Sequence, residues 1–134
     1  MAKLHLQILQ PVQMKIDAEF DHIIVPGVEG DFGIYAGHTA FITQIRPGVL
    51  QLYNEGSIEK YSIHDGFVTV ENNQVNIVCE IIEKYSEIDE SRANNAKDRA
   101  EKRLKKSKGN IDFRRAEAAL KRALSRLEAI SKSD

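Results

Sequence analysis

The sequence contains a single cysteine, three prolines and no tryptophan among its 134 residues. One cysteine excludes an internal disulfide framework and is by itself a poor set of zinc ligands. Uninterrupted apolar runs reach only three residues, as in Ile23-Ile24-Val25, so no segment is long enough to span a bilayer. The first residues also lack the apolar stretch of a secretion signal. A reducing, cytosolic compartment is therefore the expectation.

The chain as a whole also lacks a large net charge, because 19 basic side chains nearly cancel 20 acidic ones. This balance excludes the chain-wide basic field that is typical of nucleic-acid binders. The two parts of the chain nevertheless carry net charges of opposite sign. Residues 1–86 carry 11 acidic and 5 basic side chains, a net charge of −6, whereas residues 87–134 carry 9 acidic and 14 basic ones, a net charge of +5.

The residue composition changes at the same point in the chain. All three prolines, and every aromatic residue except Phe113, precede residue 87, whereas the remainder is rich in Ala, Lys, Arg and Glu. Apolar residues alternate with others in the first part, as in the series Val75, Ile77, Cys79 and Ile81, and this period is typical of strands. We therefore predict an antiparallel β-sandwich or barrel over residues 1–86, followed by helices over residues 87–134.

The helical part has the pattern of an antiparallel two-helix hairpin. Ser86-Glu87-Ile88-Asp89 fits the capping-box template, and a helix is predicted from there to about Lys106. A break follows at residues 107–110, where Gly109 is expected to adopt the left-handed conformation that ends helices. The second helix has an apolar stripe with steps of three and four residues, and the facing stripe on the first helix is mostly alanine. Small side chains bury little area, so we expect a weakly held hairpin that can swing away.

No catalytic motif is present in the sequence. The four histidines are scattered, and Cys79 is predicted to be a buried thiol. Residues 25–38 hold four of the eight glycines, but the Lys-Ser/Thr of a phosphate-binding loop does not follow them. Tight turns at one end of the sandwich account for these glycines, whereas Glu29 and Asp31 are expected to project from the loop and contact a partner.

Two pairs of arginines mark the helical hairpin. Arg122 and Arg126 are four residues apart, and Arg92 and Arg99 are seven apart, so each pair lies on one side of a helix. Guanidinium groups match phosphate oxygens well, which favours an anion site between the helices. A solvated basic face, neutralised by neighbouring glutamates, explains the same spacing without any ligand.

Three motifs together resemble one protein family. They are Gly30-Asp31-Phe32-Gly33-Ile34-Tyr35-x-Gly37-His38, Arg46-Pro47-Gly48 and Gly66-Phe67-x-x-Val70. They resemble the epsilon subunits of rotary, proton-driven ATP synthases, and the resemblance covers the whole chain. It implies an N-terminal antiparallel β-sandwich, a C-terminal helical hairpin and a non-catalytic rotor subunit of the central stalk. The sandwich would bind the gamma subunit and the membrane c-ring, with Glu29, Gly30, Asp31 and His38 as the interface residues.

The hairpin is similar to that of the epsilon subunits that bind ATP, through Ile88-Asp89-Glu90-Ser91-Arg92-Ala93 and the arginines of the second helix. This resemblance implies ATP as a regulatory ligand, with no catalytic cofactor and no metal site, and leaves a magnesium requirement open. The implied nucleotide-binding residues are Glu83, Ile88, Asp89, Arg92, Ala93, Arg122 and Arg126. Thr39-Ala40-Phe41 and Asn94-Asn95 depart from the usual pattern of the family.

The leading functional hypothesis is a rotor subunit that couples proton flow to ATP synthesis and inhibits ATP hydrolysis through its helices, which would contact the catalytic alpha and beta subunits. Such a protein is expected at the cytoplasmic face of the cell membrane, as a peripheral part of the complex. The alternative is a free-standing cytosolic nucleotide-sensing regulatory protein. A nucleic-acid binder with basic helices is disfavoured, because the helical part has a single aromatic residue for base stacking.

Overall fold

The structure, a computed structural model, describes residues 3–11 and 13–131. Eight strands come first, and two helices follow them after a 3₁₀ turn over Tyr85–Glu87. The strands are β1 (Leu4–Gln10), β2 (Gln13–Phe20), β3 (His22–Gly27), β4 (Gly30–Tyr35), β5 (Phe41–Ile45), β6 (Gly48–Asn54), β7 (Ser57–Glu71) and β8 (Gln74–Lys84). The helices are α1 (Glu90–Lys106) and α2 (Asn110–Ser131). The predicted β-sandwich followed by a two-helix hairpin is confirmed.

The long strand β7 joins the two layers of the sandwich. Its first half pairs with β6, and its second half pairs with β5. The change of partner occurs at Asp65, whose φ of 58° interrupts the regular pleat. The strand order is β2-β1-β8-β7-β5-β3-β4, and β6 pairs with both β3 and β7. Inward-facing apolar side chains from both layers, such as Leu6, Ile23, Ile63 and Ile77, form one buried core.

One strand pairing departs from the antiparallel prediction. Strands β1 and β8 are parallel, with Leu6 opposite Val75 and Ile8 opposite Ile77. Parallel neighbours need a long connection, and here the six intervening strands provide it. Local alternation reports which face of a strand is buried but contains no information about a partner that is 70 residues away.

The alternation predicted along β8 is correct up to Cys79 and wrong beyond it. Val75, Ile77 and Cys79 are buried as expected, but Ile81 is 38% exposed, and its neighbour Ile82 is buried in its place. The change of face lies directly beside Asp65 of β7, where the left-handed backbone distorts the pairing of the two strands.

The predicted start of α1 and the predicted role of Gly109 need correction, whereas the predicted end of α1 at Lys106 is confirmed. The N-cap of α1 is Asp89 rather than Ser86, because the Asp89 carboxylate accepts a hydrogen bond of 3.0 Å from the backbone N–H of Arg92. Ser86 lies in the 3₁₀ turn that precedes the helix. Gly109 has the predicted left-handed conformation, with a φ of 101°. It lies at the start of α2 rather than at the end of α1, because its carbonyl oxygen accepts a hydrogen bond from the N–H of Phe113. The C-cap of α1 is Ser107, whose φ of −65° is ordinary.

The hairpin lies against the sandwich, with α2 on the outer side of β6 and β7. Alanines fill the contact between the helices, and Ala93, Ala100, Ala116 and Ala123 are all buried, as the small-residue stripes predict. Because α2 covers β7, residues 60–64 are buried on both faces of that strand. The hydroxyl oxygens of Ser62 and Ser125 lie 2.8 Å apart in this interface. Neither helix is long and apolar enough to cross a membrane, nor is any other helix among the described residues.

Candidate functional site

A cavity of about 310 Å³ lies where the last strand of the sandwich meets the hairpin. Its lining comes from the end of β8, the 3₁₀ turn, the first half of α1 and one residue of α2. The lining residues are Glu83, Glu87, Ile88, Asp89, Arg92, Ala93, Asn95, Ala96, Arg99 and Arg126. Six of the seven residues predicted to bind a nucleotide are among them. Arg122 lies outside the lining, one turn before Arg126 on α2.

Helix α1 supplies half of the lining residues, and its wall of the cavity follows from ordinary helical spacing. Arg92, Asn95, Ala96 and Arg99 stand at positions i, i+3, i+4 and i+7, which lie on one side of a helix. Ala93 is buried beside them, and its small side chain allows α2 to approach closely. The docking of α2 then places Arg126 opposite this wall. The cavity therefore exists only while the hairpin is docked on the sandwich.

Three guanidinium groups and three carboxylates line the cavity, and they are not all paired. Arg126 donates through Nε to Oε1 of Glu83 at 2.6 Å, which links α2 to the end of β8. Asp89 is engaged as the cap of α1. The side chains of Arg92 and Arg99 make no hydrogen bond or ion pair with any residue that the structure describes. Two arginine forks are thus available for a ligand that carries negative charge.

Three lining residues, namely Glu87, Asn95 and Ala96, were not predicted for a ligand site, whereas Arg99 was predicted with Arg92 for an anion site but was not among the implied nucleotide-binding residues. The helical spacing of Arg92 and Arg99 was visible in the sequence and contained the signal for Arg99. Extending the same stripe by i+3 and i+4 steps would have added Asn95 and Ala96. Glu87 carries no such pattern, because it belongs to the 3₁₀ turn that was expected to be the start of the helix.

The predicted partner-interface residues lie around strand β4. Glu29 is exposed in the turn between β3 and β4, and Gly30 follows it with a φ of 132°. Asp31 is also exposed, but its carboxylate accepts a hydrogen bond of 2.6 Å from Arg46, so it projects less freely than expected. His38 lies beyond the opposite end of β4, where Nδ1 is 2.7 Å from the carbonyl oxygen of Thr39. The four residues therefore occupy both ends of one strand rather than a single loop.

The possible metal ligands, the single thiol and the buried histidine do not gather in one cluster in the described part of the chain. It contains no group of three or more His, Cys, Asp or Glu side chains that is able to hold a metal ion. Burial raises the pKa of the Cys79 thiol to about 11, so it stays protonated and unreactive at neutral pH. His64 is buried with Nδ1 3.0 Å from the carboxylate of Asp65, and no nucleophile is hydrogen-bonded to its other nitrogen.

An apolar face is left uncovered on the side of the sandwich formed by β5, β7 and β8. Phe67 and Val78 are direct cross-strand neighbours, and each is 54% exposed. Ile42 on β5 faces the same side and is 66% exposed. Adjacent exposed apolar side chains of this size are typical of protein–protein contacts.

Comparison with known families gives matches to both parts of the chain. Residues 3–85 match the family described as ATP synthase, Delta/Epsilon chain, beta-sandwich domain. Residues 86–131 match the ATP synthase, Delta/Epsilon chain, long alpha-helix domain. The division between the two families falls in the 3₁₀ turn between β8 and α1.

Curated relatives cover nearly the whole chain and carry one name, ATP synthase epsilon chain. The relative from Symbiobacterium thermophilum is 39% identical over 135 residues, which is 100% of this chain and 97% of its own. The relative from Nitratidesulfovibrio vulgaris is 38% identical over 124 residues, 92% of each chain. The relative from Halalkalibacterium halodurans is 38% identical over 129 residues, 96% of this chain and 97% of its own.

Solved structures show the same fold. A chain of the Euglena gracilis mitochondrial ATP synthase, solved with OSCP, F1 and the c-ring, superposes with a TM-score of 0.86 and is 26% identical, covering 96% of this chain and 81% of its own. A chain from the central stalk and c-ring of the Tetrahymena thermophila mitochondrial ATP synthase has a TM-score of 0.63 and is 17% identical, covering 96% of this chain and 97% of its own. The second likeness concerns the fold alone.

These matches confirm the family predicted from the glycine-rich motifs, and with it a subunit of an ATP synthase rather than an enzyme with its own catalytic site. The matches extend over the sandwich and the hairpin alike, so neither part is an unrelated addition. The chain belongs to the ATP synthase delta/epsilon chain family, in its epsilon form.

Proposed function

We propose that this chain is a rotor subunit of the central stalk that couples proton flow to ATP synthesis, and that its hairpin inhibits ATP hydrolysis under the control of bound ATP. The observation that carries the ATP-sensing part is the cavity between β8, α1 and α2. It brings together six of the seven residues that the sequence predicts for a nucleotide site. Its volume of about 310 Å³ lies at the small end of the range for ligand pockets.

ATP would bind through its phosphates to the arginines of this cavity. Arg92 and Arg99 are unpaired among the described residues, and Arg126 is already oriented by Glu83. Charge-assisted bonds between guanidinium groups and phosphate oxygens are each worth about 1.5–3 kcal/mol. Arg122 lies one helical turn before Arg126, so a triphosphate that extends along α2 would reach it. Asp89 and Glu83 each use one carboxylate oxygen within the protein, and the second oxygen of each would accept hydrogen bonds from the polar groups of the nucleoside.

The position of the cavity explains how ATP would act on the hairpin. A ligand shifts an equilibrium between two states only when it binds one of them better. The cavity walls come from the sandwich and from both helices, so the site is complete only in the docked state that the structure describes. ATP would therefore hold the hairpin down. Without ATP, the weakly packed alanine contact would release it, and the net charge of +5 on residues 87–134 would favour the acidic surfaces of the catalytic alpha and beta subunits.

The sandwich would provide the permanent contacts within the rotor. The uncovered apolar face around Phe67 and Val78 suits a stable contact with the gamma subunit. The exposed turn at Glu29 and Gly30, with Asp31 beside it, suits the polar loops of the membrane c-ring, and His38 would contribute from the other end of β4. These contacts would hold the chain at the cytoplasmic face of the cell membrane as a peripheral subunit.

Calorimetric titration of the isolated full chain with ATP, with and without magnesium, tests the proposed ligand. We expect saturable heat with one site per chain in the wild type. We expect none in a chain that ends after Ser86, because that chain lacks α1 and α2. Absence of heat in the wild type under both conditions would overturn the ATP-sensing role while leaving the family membership intact.

The unpaired arginines of the cavity would also suit a free-standing cytosolic nucleotide-sensing regulator, but the matches to ATP synthase subunits favour the rotor subunit. Purification of the membrane ATP synthase from the source cells separates the two hypotheses. A rotor subunit remains with the complex through gel filtration in detergent, whereas a free regulator elutes at the mass of the single chain, 15.1 kDa.

A further inference from the structure

A second cavity, of about 440 Å³, opens at the turn between the two helices. Its lining residues are Lys102, Arg103 and Lys106 of α1, Ser107 of the turn, and Asp112, Arg115 and Ala116 of α2. It shares no lining residue with the cavity at the end of β8. The ATP site proposed above does not use it.

The charge of this second cavity is unbalanced. Four basic side chains face one carboxylate, a formal charge of +3. Two other lysines of the hairpin pair with glutamates one turn away, Lys97 with Glu101 and Lys121 with Glu117, both at 3.9 Å. The four basic side chains of the cavity form no ion pair and no side-chain hydrogen bond with any part of the chain that the structure describes. The cavity therefore concentrates positive charge without a partner from the protein itself.

Helix dipoles account for only part of this arrangement. Arg103 and Lys106 lie in the last turn of α1, where cations interact favourably with the negative end of the helix. Arg115 lies in the first half of α2, nearer to the positive end of that helix, where the dipole does not favour a cation. Lys102 and Lys106 are also separated by one turn and repel each other. An external anion would relieve the repulsion between Lys102 and Lys106, and it would pair with Arg115.

We propose that this cavity binds a short phosphate chain, a di- or triphosphate, of which pyrophosphate is the simplest member. Arg103 and Arg115 supply one guanidinium fork from each helix, and such forks match phosphate oxygens in pairs. The two lysines add point charges, so the total suits an anion with three or four negative charges. The lining has no aromatic side chain on which a base could stack, which favours recognition of the phosphates rather than of a nucleobase. The bound anion would tie the end of α1 to the start of α2.

Pyrophosphate titration by calorimetry on the full chain tests the proposal, with a closely matched pair of double variants. Lys106→Ala/Arg115→Ala removes two lining charges. Lys105→Ala/Arg114→Ala removes the residues directly beside them, which do not line the cavity. We expect tenfold or greater loss of affinity in the first variant and less than threefold in the second. Equal losses of affinity in the two variants would mean that pyrophosphate responds only to the overall charge of the chain, and would overturn the site. The absence of heat in the wild type would also overturn it.

Two further measurements complete the test. Arg115→Lys keeps the charge and the fold but removes one fork, and it is expected to weaken pyrophosphate binding several-fold, whereas an unchanged affinity would contradict recognition by the fork. The source of the phosphate chain is identified by competition. If ATP displaces pyrophosphate from an Asp89→Ala/Arg92→Ala variant, the ligand is the phosphate tail of a nucleotide. If it does not, the site is specific for inorganic phosphate chains.

Discussion

The variant Arg92→Ala tests whether the Arg92 side chain binds a ligand or stabilises the fold. The guanidinium group of Arg92 has no partner among the described residues, so Arg92→Ala leaves no carboxylate unpaired. Its backbone N–H, which bonds to Asp89, is retained. Arginine and alanine differ by only a few tenths of a kcal/mol in helix propensity, so the free energy of unfolding without ligand should change by less than about 0.5 kcal/mol.

The expected loss of ATP affinity is much larger. A charge-assisted bond of about 1.5–3 kcal/mol corresponds to a weakening of about 10- to 150-fold, since about 1.4 kcal/mol is a factor of ten. At an ATP concentration 100 times the wild-type dissociation constant, bound ligand stabilises the chain by about 2.7 kcal/mol. For a cooperative unit of this size that amounts to a rise in melting temperature of about 10 °C. A tenfold weaker variant would show about half of that rise.

Thermal melting with and without ATP, on the wild type, Arg92→Ala and Arg114→Ala, measures these quantities. Arg114 is an exposed arginine of α2 outside the cavity, so its variant controls for loss of one positive charge. Asp89→Ala is a less direct probe, because loss of the cap alone costs about 0.5–2 kcal/mol of stability. Equal responses of Arg92→Ala and Arg114→Ala to ATP would contradict phosphate binding by Arg92, as would an unchanged melting temperature of the wild type in ATP.

Three further outcomes are expected. Truncation after Ser86 should leave a folded sandwich and raise ATP hydrolysis by the assembled complex, and unchanged hydrolysis would count against an inhibitory hairpin. A cysteine in place of Asp31 should cross-link to the c-ring in the assembled enzyme. Glu55→Cys, in the β6–β7 turn at the other end of β3, should not, and the reverse result would invert the proposed orientation. Because burial raises the pKa of Cys79 to about 11, iodoacetamide at pH 8 should label that thiol only after denaturation, and rapid labelling of the native chain would contradict its burial.

The class of each part of the chain follows from its local residue pattern. Alternating apolar residues and turn glycines specified strands before residue 85, and the alanine stripes specified two packed helices after residue 89, because both periods are local properties of the backbone. The same helical periodicity placed Arg92 and Arg99 on one side of α1. The start of α1 was predicted wrongly because Ser86 and Asp89 are both good capping residues, and only the 3₁₀ turn over Tyr85–Glu87 selects Asp89.

The contacts between distant elements are visible in the fold and not in any local pattern. The parallel pairing of β1 with β8 joins residues about 70 positions apart, and no local pattern encodes it. Residues 60–64 are buried on both faces because α2 covers β7, although alternation predicts only one buried face. The docking of α2 also brings Arg126 to Glu83 and so closes the cavity. These contacts are stabilised by the burial of surface between elements that are far apart in the chain. The periodicity of the sequence is local and therefore does not predict them.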